Sequence, residues 1–205
     1  MKRIFIEELH SNIGKEVTLA GWVDIRRDQG KMVFFDLRDM TGKIQCVVMP
    51  TNLQAIEIAK AMRLEWVLKI NGNVNKRPEK NINKDMLNGD IELEVISIEV
   101  LSKAETLPFD MSLEGYNLDL VTELDNRALV LRHPKIQAVF KVQETIIDSF
   151  RVFLKQNKFF EFQAPSITPA VAEGGSEVFQ VDYFGRKAFL SQSPQLYKQI
   201  VMSAF

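Results

Sequence analysis

Two groups of side chains in this sequence have the chemistry to hold a ligand. The first is Phe34, Gln45 and the adjacent pair Arg26 and Arg27. In the run M-V-F-F-D-L-R (32–38), Val33, Phe35 and Leu37 recur at period two and form one apolar face, which leaves Phe34 on the other. An outward aromatic ring on a strand is a platform for an unstacked base, a contact worth about 1–3 kcal/mol. Gln45 lies opposite the apolar set Ile44, Cys46 and Val48. Its amide both donates and accepts, as reading a base edge requires. Arg26 and Arg27, at the exit of the preceding strand, supply guanidinium groups suited to phosphate or base contacts. The competing reading is structural: Phe34 packs beneath a helix or a neighbouring domain. The cations Lys76, Arg77, Lys80 and Lys84 read as a solvated loop.

The second group is Glu173, Ser193, Gln195 and Lys198. Gln195 and Lys198 are three residues apart, so on a helix they share a face. An ammonium and an amide on one face suit a small zwitterionic or dicarboxylic ligand. The lysine pairs with a side-chain carboxylate and Glu173 receives an α-ammonium. Against this stands the ordinary reading of Lys198 as a surface lysine and Glu173 as a loop charge.

The first half of the chain must position the aromatic group, and it reads as strands. Residues 17–25 alternate, with Val17, Leu19, Val23 and Ile25 on one face; 32–38 and 44–48 follow, joined by a turn at Gly42. A helix over 52–63 carries Leu53, Ile56, Ala59 and Met62 at near-helical spacing. Two more strands are expected over 66–74 and 91–100. Strands with one helix between the third and fourth are the order of a five-stranded OB-fold barrel. Residues 1–104 are expected to form that domain and 105–130, polar and proline-punctuated, a linker. Over 131–205 the expected elements are a long helix (134–157) with Pro134 in its first turn, a strand-like run 159–165, strands 178–184 and 188–191, and a helix opening at Pro194. The fold class is therefore α+β. The apolar breadth of the 134–157 helix suits either an ordinary core helix or a dimer interface.

Composition excludes several function classes. The chain has 205 residues, 46% hydrophobic and 26% charged, with net charge −1, values outside the ranges of disordered and fibrous proteins. A near-neutral chain is no general nucleic-acid sponge, so any RNA contact must be local and specific. Cys46 is the single cysteine, which excludes an internal disulfide and fits a reducing compartment. Charges at Glu7 and Glu8 break any signal-peptide core, and no apolar run approaches the roughly 18 residues of a membrane span. The expected address is the cytoplasm.

Four segments together carry a family resemblance: Q-S-P-Q-L-Y-K-Q (192–199), the loop E-G-G-S-E (173–177), the helix–strand unit ending in Gln163, Ala164 and Pro165, and G-W-V-D-I-R-R-D-Q-G (21–30) followed by F-F-D-L-R-D (34–39). In order along essentially the whole chain, they resemble the class II aminoacyl-tRNA synthetases, and within them the aspartyl-tRNA synthetases of the archaeal/eukaryotic-like type. The octapeptide is the most specific of the four.

The resemblance implies an ATP-dependent ligase that attaches L-aspartate to tRNA through aspartyl-adenylate, with Mg2+, acting in protein biosynthesis. It assigns anticodon binding to Arg26, Arg27, Phe34 and Gln45, with Phe34 stacking on a base and Gln45 reading the central uracil. It assigns aspartate binding to Glu173, Ser193, Gln195, Leu196, Tyr197 and Lys198, with Lys198 facing the side-chain carboxylate. Helix 134–157 with Pro165 corresponds to motif 1 and a homodimer interface. Ala172 stands where some relatives place a serine. The motif 2 and motif 3 arginines and the late metal-binding acids have no counterpart before Phe205. Within these residues the expectation is therefore no catalytic residue, no metal site, ligands for ATP and Mg2+ mostly beyond residue 205, and no aminoacylation by the 205 residues alone. The alternatives are an asparaginyl-tRNA synthetase or paralogue, which lacks this lysine, and a non-catalytic tRNA-binding module.

Overall fold

The computed structural model describes residues 2–111, 117–170 and 177–205. The chain divides into two compact units, Met1–Phe109 and Asp110–Phe205.

In the first unit, β1 (Glu16–Gln29), β2 (Met32–Arg38), β3 (Lys43–Val48), β4 (Val67–Lys76) and β5 (Ile91–Ser102) close into a barrel in the order β1-β2-β3-β5-β4, with α1 (Leu53–Ala61) between β3 and β4. Neighbours are antiparallel except β3 and β5, which run parallel. This is the OB-fold order. Alternation places Val33, Phe35 and Leu37 of β2 and Ile44, Cys46 and Val48 of β3 in the core, all within 1% of full burial.

Two local expectations are corrected. Ile25 is 44% exposed, although Val17, Leu19 and Val23 face the core. The β1–β2 ladder shifts register between Val23 and Ile25, so Asp24 is an extra residue that reverses which side chains face inward beyond it. In α1 the buried positions are Ala55, Ala59 and the C-capping Met62, while Leu53 is 77% exposed. Two alanines let the helix backbone approach the barrel, and Asn52 ties the helix start down by accepting from Ala55 N and donating to Ile96 O.

A 3-10 helix, Ile6–Asn12, not foreseen in the sequence, buries Ile6 and Leu9 against the core. Asp39 in the β2–β3 turn holds it: Oδ2 accepts from Ile6 N at 2.9 Å, and Oδ1 accepts from Thr41 N and Gly42 N. Closure of β1 onto β2 needs Gly21. A Cβ there would sit 2.3 Å from Arg38 O, a backbone atom that cannot swing away. Gly21→Ala is therefore expected to destabilise the barrel by about 1–3 kcal/mol through overpacking, read as a lowered urea midpoint with an unchanged m-value.

The second unit opens with α2 (Leu120–Asp125) and α3 (Arg127–Val130), which occupy the end of the stretch expected as linker. Asp119 caps α2 by accepting from Thr122 N at 3.0 Å and Thr122 Oγ1 at 2.7 Å; these hydrogen bonds hold its carboxyl below the ordinary range. The long helix α4 (Pro134–Gln156) begins after His133, whose Nδ1 accepts from Lys135 N. None of its residues is buried: Val139, Phe150 and Phe153 are more than half exposed. The run 159–165 joins no ladder; pairing starts only at β6 (Ile167–Thr168), beyond Pro165, which has no N–H to give. β6 pairs with β8 (Arg186–Leu190), which pairs with β7 (Gln180–Tyr183), both antiparallel. The β7–β8 turn passes through Phe184 and Gly185, both at positive φ. Helix α5 (Gln195–Met202) follows Pro194. Among the described residues no helix is long and apolar enough to cross a membrane.

Candidate nucleic-acid interface and a ligand cavity in the second unit

The outer face of β1–β3 gathers most of the aromatic group. Arg27 pairs with Phe34 across β1–β2, and Phe34 with Val47 across β2–β3. In the next row Ile25 pairs with Asp36 and Asp36 with Gln45. Because residues directly opposite share a face, Arg27, Phe34, Asp36 and Gln45 project from one side of the sheet. The Asp24 bulge makes this possible: without it, Arg26 rather than Arg27 would stand beside Phe34. Arg26 instead turns to the other side and pairs with Asp28 at 2.6 Å. The structure thus unites Arg27, Phe34 and Gln45 and leaves Arg26 out.

Phe34 is half-buried, and no aromatic ring stacks on it among the described residues. Gln45 is half-buried too, and its Nε2 donates to Glu92 Oε2 at 3.4 Å. Glu92, on β5, stands 3.6 Å from Arg77 Nε. The Arg77 side chain is only 5% exposed, and its Nε and Nη2 have no hydrogen-bond partner among the described residues. A buried guanidinium with unspent donors, a carboxylate and a carboxamide in one line can donate to and accept from a base edge. The loop reading of 76–84 is corrected at its start, where Lys76 ends β4 and Arg77 is buried; Lys80 and Lys84 are exposed as expected. The signal for Arg77 was Pro78, which keeps the preceding residue extended and so continues the direction of β4. Glu92 was missed because its neighbours on the face come from strands distant in the chain.

Asp36 is 3% exposed, and Arg27 Nη2 donates to its Oδ1 at 3.1 Å. Burial raises its carboxyl pKa above the ordinary range, against the opposing charge of Arg27. Burial also pushes the Cys46 thiol well up, with the Asp36 charge adding to it, so Cys46 is a protonated core side chain and not a nucleophile.

In the second unit a cavity of about 290 Å³ lies between β6, β8 and α5. Ser193, Gln195, Leu196 and Tyr197 line it, with Thr168 and Phe189 opposite. Lys198 is exposed and does not line it. The geometry is helical: Leu196 and Ile200, one turn apart, face the cavity, and at about 3.6 residues per turn Lys198 lies on the far side of α5. Of the α5 residues that line the cavity, Gln195 is the one nearest Lys198 around the helix. Any site using both is therefore the open face of α5 and not the cavity. Glu173 and the loop 171–176 lie outside the described residues. Pro165 is exposed in the irregular segment after α4.

Comparison with known proteins bears on both units. Residues 17–101 match the family model for the OB-fold nucleic acid binding domain, and residues 119–205 match that for the class II tRNA synthetases (D, K and N). The chain is 40% identical over 195 residues to an aspartate–tRNA(Asp/Asn) ligase of Archaeoglobus fulgidus, covering 93% of this chain and 43% of that protein. It is 37% identical over 193 residues to an aspartate–tRNA ligase of Staphylococcus aureus, covering 93% of this chain and 33% of that one. Among solved structures, it resembles asparaginyl-tRNA synthetase from Pyrococcus horikoshii complexed with asparaginyl-adenylate, with TM-score 0.83 and 30% identity over 98% of this chain and 45% of that one. It also resembles aspartyl-tRNA synthetase from Entamoeba histolytica, with TM-score 0.74 and 29% identity over 98% of this chain and 43% of that one. The chain spans less than half the length of these relatives.

Proposed function

Given that the chain belongs to the class II aspartyl/asparaginyl-tRNA synthetase family, of which it carries the OB-fold barrel and the start of the catalytic domain, we propose that the outer face of β1–β3 binds the anticodon loop of tRNA(Asp). The observation that supports it most is the row of Arg27, Phe34 and Val47 beside the row of Asp36 and Gln45. Phe34 offers a ring face to one base, Gln45 an amide to the next, and Arg27 a cation to the backbone between them. The test is titration of the chain with an anticodon stem-loop and with the same stem-loop carrying cytosine for the central uracil, at matched salt. Tighter binding of the uracil form is expected; equal binding overturns the reading.

The activity we propose for the whole protein is attachment of L-aspartate to tRNA. Aspartate and ATP give aspartyl-adenylate and pyrophosphate. A terminal ribose hydroxyl of the tRNA then attacks the aspartyl carbonyl and releases AMP. In this portion Gln195 and Lys198 orient the amino acid on the open face of α5, the amide on its backbone end and the ammonium on its side-chain carboxylate. The adenylate's phosphate charge calls for preorganised cations. Among the described residues no three His, Cys, Asp or Glu side chains converge on a metal position, so no step is assigned to Mg2+ here. We assign the exposed apolar stripe of α4, with Pro165, to a subunit interface, since so broad an apolar helix face needs cover. A second reading, asparagine as the amino acid, is favoured by one observation: the side chains that α5 and Ser193 present to the cavity are uncharged.

A further inference from the structure

We infer that Asp36 is a positioning residue for RNA recognition, its carboxylate anchoring the Arg27 guanidinium beside the Phe34 ring so that the arginine meets a stacked nucleotide in one orientation. This rests on the anticodon reading of the β1–β3 face and deepens it.

Phe34 and Gln45 on the same face are half-buried, yet Asp36 between them is 3% exposed. It is walled by Ile25 on one side and Gln45 on the other. A buried carboxylate loses its hydration, and one hydrogen bond from a partly solvated arginine restores only part of it. The groups that act on it agree. Burial raises its pKa most, Asp24 raises it further, and Arg27, Lys43 and Arg77 lower it without restoring the ordinary value. A carboxylate whose pKa is raised by folding costs stability once pH passes from its unfolded value through its folded one. At neutral pH, ionisation of Asp36 therefore costs stability, a cost that an isosteric amide does not carry. Fold stability does not account for an acid at this position.

The orientation of Arg27 does. Its side chain is 47% exposed, the setting in which an arginine rotates freely. The bond from Nη2 to Asp36 Oδ1 fixes one edge of the guanidinium to the sheet. The remaining donors form a planar fork on a side chain nearly half open to solvent. Arg27 stands directly across from Phe34, so a nucleotide stacked on that ring brings its phosphate or base edge to this fork. A pre-set guanidinium avoids the ordering cost that a mobile one incurs on binding.

The test is a four-corner cycle of wild type, Arg27→Ala, Asp36→Asn and the double variant, titrated with the anticodon stem-loop at fixed salt. Asp36→Asn is expected to weaken binding about tenfold, the scale of coupling between contacting residues. In the Arg27→Ala background it is expected to change nothing further. Two readouts separate positioning from a merely structural role. The melting temperature of Asp36→Asn at pH 7 should not fall below wild type. Nitrogen NMR should show the hindered rotation of the Arg27 guanidinium in wild type and free rotation in the variant. Arg27→Lys, which keeps the charge but has no fork, should lose about as much as Asp36→Asn, and it tests the idea even if the Asp36 variant misfolds. The inference is overturned if Arg27→Ala weakens binding while Asp36→Asn does not, if the Asp36→Asn loss persists in full without Arg27, or if Arg27→Lys binds like wild type. If neither Arg27→Ala nor Phe34→Ala alters binding, the anticodon reading itself falls and this inference with it.

Discussion

Phe34→Ala weakens binding of the anticodon stem-loop by about 1–3 kcal/mol, the worth of one base–aromatic stack, with the chain's own stability nearly unchanged. Both halves of that expectation come from alternation along β2. Val33, Phe35 and Leu37 fill the barrel, and Phe34 contributes no core volume comparable to theirs. Its loss therefore leaves no large internal cavity. Its ring face carries no partner ring among the described residues, so its value is realised on binding. The loss should appear at every salt concentration, because stacking releases no counterions, whereas loss of Arg27 should also flatten the salt slope. Fluorescence anisotropy of a labelled stem-loop against wild type and variant measures it. An unchanged dissociation constant removes Phe34 from the interface.

Why the barrel could be read from residue order while parts of its working face could not is a matter of range. Period-two alternation in β2 and β3 is local, so the inward sets and the outward Phe34 and Gln45 were legible. The Asp24 bulge is not local: nothing in V-D-I-R-R marks the extra residue, and it decides that Arg27 and not Arg26 stands beside Phe34. Glu92 reaches Gln45, with Arg77 beside Glu92, only because β5 runs parallel to β3 and closes the barrel with β4, a pairing between segments far apart in the chain. The α1 face was misread for a different reason. Leu53 is larger and more apolar than Ala55, but close packing on the barrel favours the small side chain. For α5, spacing placed Gln195 and Lys198 together without saying which face of the helix would be covered.

The second large effect concerns amino-acid choice. In an active synthetase carrying this sequence, Lys198→Ala is expected to erase most of the preference for aspartate over asparagine. An ammonium paired with a carboxylate in a closed site contributes about 2–5 kcal/mol when one partner is truncated. A neutral amide gains little from it, so selectivity should fall by about 30-fold or more. In this structure Lys198 stands on the exposed face of α5, away from the cavity under Leu196 and Ile200. The proposal therefore requires that face to be enclosed in the active synthetase, with the aspartate side chain along it and Gln195 at its edge. Steady-state pyrophosphate exchange with each amino acid reads the ratio. If kcat/KM for aspartate and asparagine fall together, or not at all, Lys198 is a surface lysine and the asparagine reading gains.

Whether the outer β1–β3 face reads an anticodon is decided by titrating base-substituted stem-loops against wild type and Gln45→Ala. Wild type should prefer the central uracil over cytosine, since a carboxamide that matches one base edge leaves unpaired groups against another. Gln45→Ala should bind both more weakly and without preference. If wild type binds both equally, or Gln45→Ala keeps the full preference, this face does not read the base through Gln45.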